Sequence, residues 1–264
     1  MPDESKVFVP RSTRWPVYPD LRAHNLRDAR LYADRADMIA ALPVPTGGKV
    51  AEIGVWRGDF SKVLINTLKP REFFAFDIFT CHQVEDWNGL TGRQLFDGLT
   101  HRQYYEREMA SHLDVTRIVE GDSRETLRSY TDGSFDLVYV DAAHDYDAVK
   151  ADAQLAVEMT AKSGFLVFND YMMFDLNNFT YGIVPVVNEL AVNHGWDVVG
   201  FAINHCLYAD IALQRTPPKP EPAPVEAEPA PAAAEPAPPT SHRDTATPGL
   251  VGRLRALAKM FGGR

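Results

Sequence analysis

The segment FDLVYVDAAHDYDAVKADAQ, residues 135–154, passes from an apolar strand pattern directly into side chains that can do chemistry. Four apolar residues lead into Asp141, and His144 and Asp145 follow within a few positions. A carboxylate can bind a cation or a hydroxyl, and an imidazole can take up a proton near neutral pH. Because a strand more often ends at Gly, Asn or Ser, this stretch predicts a functional strand end, with Asp145 as the cap of the following helix.

The stretch KVAEIGVWRGDF, residues 49–60, is a second strand pattern that ends in distinctive residues, namely Glu52, Gly54 and Gly58. Gly54 permits a tight turn, and Gly58 permits a close approach of ligand and backbone where the next helix begins. Their G-x-x-x-G spacing differs from that of dinucleotide-binding turns, and the Lys of a nucleoside-triphosphate loop is absent from the motif. A glycine pair after a strand also serves packing alone, so both interpretations stay open.

Two further strand ends carry polar side chains. Asp77 ends the strand EFFAFDIF, 23 residues after Gly54 (77 − 54 = 23), where an acid can accept hydrogen bonds from ribose hydroxyls or cap a turn. The third strand leads into EGDSRETL, in which Asp122 or Ser123 could cap a short helix or reach an adenine ring.

The elements that must position these residues alternate between strand and helix patterns over residues 1–215, which predicts a parallel sheet covered by helices. A helix is expected over residues 27–42, and the last two strands follow each other without a helix between them. The segment 80–112 is too long for a routine connection, and such insertions often contact substrate. Its candidates for ring stacking and polar contacts are Trp87, His101, Arg102, Tyr104 and Tyr105.

The composition of the 264 residues narrows the class of protein. A net charge of −9 disfavours nucleic-acid binding, which depends on Lys and Arg that neutralise phosphates. Cys81 and Cys206 show no metal-like or disulfide pattern, and the sequence has no signal peptide or bilayer-length apolar run. We therefore expect a soluble, cytoplasmic protein.

The C-terminal part differs in composition from the rest. Residues 216–240 are rich in Pro, Ala and Glu and predict an extended, disordered linker. Residues 241–264 end in PGLVGRLRALAKMFGGR, whose apolar and basic residues predict a short basic amphipathic helix. This helix could be a frayed tail, a weak membrane-surface contact that makes the protein peripheral, or a docking helix for a partner. The expected divisions are a helical lead-in, 1–44, a central domain, 45–215, and these two segments.

Together, VAEIGVWRGDFS, the strand-ending Asp77, GDS and the paired YVDAAHDY and VFNDY resemble class I S-adenosylmethionine-dependent methyltransferases over roughly residues 45–215. The resemblance implies an α/β fold, a Rossmann-like, doubly wound, mostly parallel seven-stranded sheet with an antiparallel last strand. It implies S-adenosylmethionine as cofactor, with the glycine loop beside the methionine part, Asp77 on the ribose and the GDS turn near the adenine. The implied cofactor-binding residues are Glu52, Gly54, Gly58, Asp77, Asp122, Ser123 and Asp141.

The pair VDAAHDYDAVKADA and GFLVFNDY resembles, more narrowly, the catechol-type and macrolide-sugar-type O-methyltransferases that use a divalent metal. This likeness implies Mg²⁺ bound by Asp141, Asn169 and Asp170, which offer the hard oxygen ligands that Mg²⁺ prefers. It also implies His144 as the general base for the acceptor hydroxyl, with Asp141 as the second catalytic residue. Asn169 departs from the family, which often has an acid first in this pair, and makes the site less negative.

The resulting prediction is an O-methyltransferase that acts on a hydroxyl of a small molecule, sugar or glycan. One alternative is a metal-independent methyltransferase in which Asp141 and His144 form an acid–base pair and Asp170 binds the substrate. Another is a non-catalytic module that binds cofactor or glycan and is tethered by its C-terminal tail. Relatives are often oligomeric, so a homo-oligomer is a further possibility.

Overall fold

The computed structural model describes residues 19–26, 29–87, 89–173, 181–204 and 208–217. In this part of the chain the strands are β1 (Arg30–Tyr32), β2 (Lys49–Ile53), β3 (Glu72–Asp77), β4 (Thr116–Glu120), β5 (Phe135–Val140), β6 (Thr160–Phe168), β7 (Trp196–Ala202) and β8 (Asp210–Arg215). The α-helices are α1 (Arg35–Ala41), α2 (Asp59–Leu68), α3 (Gly92–Leu95), α4 (His101–Glu108), α5 (Ser123–Thr126), α6 (Tyr146–Met159) and α7 (Ile183–Asn193). Nearly all of the expected linker and the whole expected C-terminal helix lie outside the described residues.

The strands form one sheet in the order β1-β7-β8-β6-β5-β2-β3-β4. Strand β8 runs antiparallel to both of its neighbours, whereas every other pairing is parallel. The doubly wound sheet with an antiparallel last strand is therefore confirmed. The sheet has eight strands instead of the expected seven, because the short edge strand β1 pairs with β7.

The helix expected over residues 27–42 is wrong in its first half. Residues 30–32 form β1, where Arg30 is in register with Gly200, and the helix begins only at Arg35. The side chain of Asp34 accepts a hydrogen bond from the backbone N–H of Ala36 at 2.6 Å, which caps the helix and fixes its start. Three residues are too few to show the alternation of a strand, so long-range pairing decides their conformation.

The core lies on both faces of the sheet. Along β5, Leu137 and Tyr139 pack on the side of α1 and α2, whereas Val138 and Val140 pack on the side of α6 and α7. Burial on both faces explains why this strand reads as a continuous apolar run. Since the parallel strands all end at one edge, the polar residues that follow them are brought together there.

Candidate functional site

A cleft of about 1250 Å³ lies at the carboxyl ends of β2, β3, β5 and β6. This is where an open α/β sheet binds its ligand. Most of the residues singled out from the sequence line the cleft, namely Gly54, Asp77, Asp122, Ser123, Asp141, His144, Asn169 and Asp170.

Glu52 and Gly58 lie behind the cleft, outside its lining in the described structure. The Glu52 side chain is buried and accepts a hydrogen bond from Ser61 Oγ, and burial raises the pKa of this carboxyl to about 8. Gly58 is the N-cap of α2 with a φ of +82°, and a Cβ here would lie 3.1 Å from the Tyr105 ring. Both residues support the turn after β2, and their contribution to cofactor binding stays a prediction.

Gly54 joins the ends of β2 and β5. Its φ is +86°, and a Cβ at this position would lie 2.1 Å from the carbonyl oxygen of Asp141. The backbone N–H of Asp141 donates to Ile53 O at 2.8 Å, which holds the two strand ends in register. Only glycine fits so close an approach at a positive φ.

Asp77 ties two loops of the cleft together. Its Oδ2 accepts from the backbone N–H of Val55 at 2.9 Å, and its Oδ1 accepts from that of Phe79 at 2.7 Å. A carboxylate offers about four lone-pair positions, so each oxygen can accept a further hydrogen bond. The side chain lines the cleft and can therefore still meet a ribose hydroxyl.

The turn after β4 holds two of the expected residues, and it contacts a residue of α6 that the sequence did not suggest. Asp122 caps α5 through the N–H of Arg124 at 2.9 Å, as expected, and hydrogen bonds from Arg124 lower the pKa of this carboxyl to about 2. Ser123 Oγ donates to Oδ1 of Asp152 at 2.5 Å. Asp152 is a buried acid on α6 that also lines the cleft. Its signal in the sequence is an acid on the apolar side of an amphipathic helix, between Val149 and Ala156.

Asp141, His144 and Asp170 form a compact cluster, in which one nitrogen or oxygen atom from each lies within 4.8 Å of the others. In this cluster His144 Nε2 lies 3.3 Å from Asp170 Oδ2. Asp141 follows β5, Asp170 follows β6 by two residues, and the N–H of Asn169 donates to Val140 O at 3.0 Å. Asp145 caps α6 through the N–H of Ala148, as expected, and so directs the chain away from the cluster.

The electrostatics of the cluster favour a cation. Burial raises the pKa of Asp170 to about 6, and Asp210 adds to the shift. Burial raises the pKa of the Asp141 carboxyl well above its usual range, and the charge of Asp170 raises it further. Two poorly solvated carboxylates destabilise each other's charged form, and a bound cation would reverse this effect.

Asn169 lines the same cleft and carries an amide oxygen that could serve as a further ligand. Its Nδ2 donates to Oδ1 of the buried Asp210 at 2.9 Å, which turns the amide oxygen to the opposite side. Because Asn169 lines the cleft, its Oδ1 is available as a hard oxygen ligand. The sequence gives no sign of this role for Asp210, because Asp210 lies on β8, 41 residues from Asn169.

The long segment after β3 contributes fewer contacts than expected. Of its five candidates, Trp87 lines the cleft, where its ring centroid lies 5.0 Å from that of Trp56. The expected acceptor contacts of His101, Tyr104 and Tyr105 are wrong, because these side chains are buried in the core of the segment. Arg102 lies outside the cleft lining in the described structure, and it pairs instead with Glu106 and Glu120.

Residues 51–171 match a family model described as a methyltransferase domain, whereas no curated protein matches the chain. Within the residues that the structure describes, every helix is too short or too polar to span a bilayer.

Solved methyltransferase structures share the fold at low sequence identity. The O-methyltransferase TomG from Streptomyces achromogenes, involved in tomaymycin synthesis and solved with S-adenosylmethionine, matches with a TM-score of 0.50 and 15% identity over 73% of this chain and 84% of its own. The N-methyltransferase NodS from Bradyrhizobium japonicum, solved with S-adenosyl-L-homocysteine, matches with a TM-score of 0.47 and 14% identity over 70% and 86%. An O-methyltransferase family protein from Burkholderia thailandensis matches with a TM-score of 0.48 and 15% identity over 69% of this chain and 55% of that one.

The matched segment 51–171 contains the Gly54 turn, Asp77, the GDS turn and both acid-bearing strand ends. These features lie around one cleft at the carboxyl edge of the sheet. Residues 51–171 therefore match a methyltransferase domain, and the sheet that contains them has the fold of class I S-adenosylmethionine-dependent methyltransferases.

Proposed function

We propose that the protein is an O-methyltransferase that transfers the methyl group of S-adenosylmethionine to a hydroxyl of a small molecule, sugar or glycan, with the help of Mg²⁺. The observation that carries this proposal is the cluster of Asp141, His144 and Asp170 within 4.8 Å of one another, in a cleft that also contains Gly54 and Asp77. A titratable base beside two acids suits the activation of a hydroxyl.

The donor set fits Mg²⁺. Two carboxylates, from Asp141 and Asp170, and the amide oxygen of Asn169 would hold the ion, and these are hard oxygen ligands. When bound, the cation would lower the pKa of a hydroxyl that it contacts. Burial raises the pKa of both acids, and a bound cation would favour their charged forms.

His144 is proposed as the general base. Its ring stacks on Tyr181 with centroids 4.3 Å apart and an interplanar angle of 19°, which fixes the orientation of the imidazole in the cleft. The imidazole takes the proton of the acceptor hydroxyl as the new oxygen–carbon bond forms and the sulfur–methyl bond of the cofactor breaks. Asp170, 3.3 Å from Nε2, stabilises the resulting imidazolium.

The other half of the cleft is proposed to hold the cofactor. The Asp77 carboxylate would accept hydrogen bonds from the ribose, and the turn at Asp122 and Ser123 would lie beside the adenine. The tight turn at Gly54 would leave room for the methionine part. Titration calorimetry with S-adenosylmethionine tests this assignment. The native protein is expected to bind the cofactor, and Asp77→Asn is expected to bind it more weakly. No binding by the native protein would contradict the assignment.

Metal dependence is tested by methyl transfer to a panel of hydroxyl acceptors with Mg²⁺ or with EDTA. Asp141→Asn and Asp170→Asn are expected to abolish Mg²⁺-dependent turnover. Asp114→Asn is the matched control, because Asp114 is exposed and lies before β4, at the opposite edge of the sheet.

The contact between His144 and Asp170 favours one alternative, a metal-independent methyltransferase. The acid beside the imidazole would then be Asp170, whereas the sequence suggested Asp141 for this pair and Asp170 for substrate binding. An imidazole paired directly with a carboxylate can act as a base without a metal. Full activity of the native protein in EDTA would support this alternative and contradict the role of Mg²⁺.

A further inference from the structure

Asp210, the first residue of β8, is completely buried and receives three side-chain donors. Its Oδ1 accepts from Asn169 Nδ2 at 2.9 Å and from Asn204 Nδ2 at 2.5 Å. Its Oδ2 accepts from the hydroxyl of Tyr139. In turn, Arg35 Nη1 donates to the Tyr139 hydroxyl at 3.2 Å and supplies a positive charge near the buried carboxylate. Both carboxylate oxygens of Asp210 thus accept hydrogen bonds, which fix the orientation of the side chain.

This arrangement determines which end of the Asn169 amide faces the cleft. A primary amide has one donor end and one acceptor end. Since a carboxylate only accepts, Asp210 must receive the Nδ2 end, and the oxygen is directed the other way. Without such a partner the two ends of the amide are nearly equivalent in shape, and either could face the cleft.

We propose that Asp210 is a positioning residue of the metal site, which holds Asn169 so that its oxygen faces the cation. The proposal rests on the metal-assisted function described above. It also accounts for the amide at position 169: an acid there would place two carboxylates in contact inside the protein, which is strongly unfavourable. Asn169 itself carries no charge, and the negative charge nearest to its amide group in this contact is that of Asp210.

The test is a titration of the metal-free, full-length protein with Mn²⁺. Electron paramagnetic resonance measures the concentration of the unbound ion and so gives the dissociation constant. In the native protein, the two carboxylate oxygens of Asp210 accept hydrogen bonds from three side-chain donors. In Asp210→Asn, only one amide oxygen is left to accept them, so Asn169 is no longer held. We expect the dissociation constant for Mn²⁺ to rise about 10- to 100-fold, the usual cost of losing a residue that orients a metal ligand.

A second variant separates positioning from general damage. In the double variant Asn169→Asp with Asp210→Asn, both terminal atoms of residue 169 are oxygens, so an oxygen faces the cleft in either orientation. We expect Mn²⁺ affinity to return to within a few-fold of the native value. Tyr139→Phe removes a different donor from Asp210 and leaves the contact with Asn169, so it is expected to lower the melting temperature and keep Mn²⁺ affinity.

The outcomes distinguish this inference from the proposed function. A native protein that binds no Mn²⁺ would overturn both. Native binding that persists unchanged in Asp210→Asn would overturn the positioning role alone. Equal losses in Asp210→Asn, the double variant and Tyr139→Phe would show that Asp210 acts only on stability, and would also overturn it.

Discussion

The α-carbon of Gly54 faces the backbone of Asp141 so closely that a Cβ at position 54 would lie 2.1 Å from the carbonyl oxygen of Asp141. Gly54 belongs to the turn expected to hold the cofactor, and Asp141 to the proposed metal site. The two halves of the cleft therefore share one backbone contact, and a change in the turn after β2 must displace the strand end after β5.

Gly54→Ala is expected to disrupt both halves at once. The new methyl group requires the backbone of Asp141 to move, so affinity for S-adenosylmethionine and for Mn²⁺ should both fall at least tenfold, as measured by calorimetry. Gly98→Ala is the matched control, because Gly98 also has a positive φ, +78°, but a Cβ there would meet no atom of the described residues within 4 Å. That variant should lose about 1 kcal/mol of stability from backbone strain and keep both affinities.

His144→Gln tests the proposed base. The change keeps a hydrogen-bonding side chain but removes the group that takes the proton, so kcat should fall about 10²- to 10⁴-fold with little change in cofactor affinity. If an imidazole is the base, the rate of the native enzyme rises with pH as that group loses its proton, and this rise should be absent from the pH–rate profile of the variant. His112→Gln, close to the start of β4, serves as the control. An unchanged kcat in His144→Gln would rule out this base.

Glu52 provides a prediction for the pH dependence of stability. Burial raises the pKa of Glu52 to about 8 in the folded protein, above its value in the unfolded chain, so the folded state holds the proton more tightly. Its contribution to stability is thus greatest below the unfolded pKa and falls as the pH rises through the folded pKa. Glu52→Gln removes the titration and keeps a partner for Ser61.

The gain in melting temperature of Glu52→Gln over the native protein is therefore expected to grow between pH 5 and pH 8, by about 2 to 4 °C for each kcal/mol. Differential scanning calorimetry at several pH values measures it. The exposed Glu158→Gln variant should show no such growth. A difference that stays constant with pH would mean that Glu52 is ionised in the folded protein at pH 7.

The parts of the site that the sequence predicts are those that follow directly from strand ends. Asp77, Asp141 and Asp170 could be found because an apolar run followed by an acid is visible within a few residues. Asp210 and β1 could not, because each depends on a partner far along the chain: Asn169 for the former and Gly200 for the latter. The burial of His101 and Tyr105 in the segment after β3 is not predictable for a related reason, because it depends on the fold of the whole segment.

Asp152, which also escaped prediction, allows the two halves of the cleft to be separated. It lines the cleft from α6 and holds Ser123 Oγ at 2.5 Å, in the turn proposed to lie beside the adenine. Asp152→Ala frees that turn, so affinity for S-adenosyl-L-homocysteine should fall about tenfold, equivalent to the loss of one hydrogen bond to a charged group. Because Asp152 is absent from the cluster of Asp141, His144 and Asp170, Mn²⁺ affinity should stay at the native value.

Asp170→Asn is the reciprocal variant, and it should lose Mn²⁺ affinity while its binding of S-adenosyl-L-homocysteine stays native. Calorimetry with each ligand on both variants and the native protein gives the complete comparison. Loss of both ligands in either variant would mean that the cofactor half and the metal half do not bind independently. The crossed pattern would assign the turn after β4 to the cofactor and the ends of β5 and β6 to the metal, because each substitution then changes only the ligand that its residue is proposed to serve.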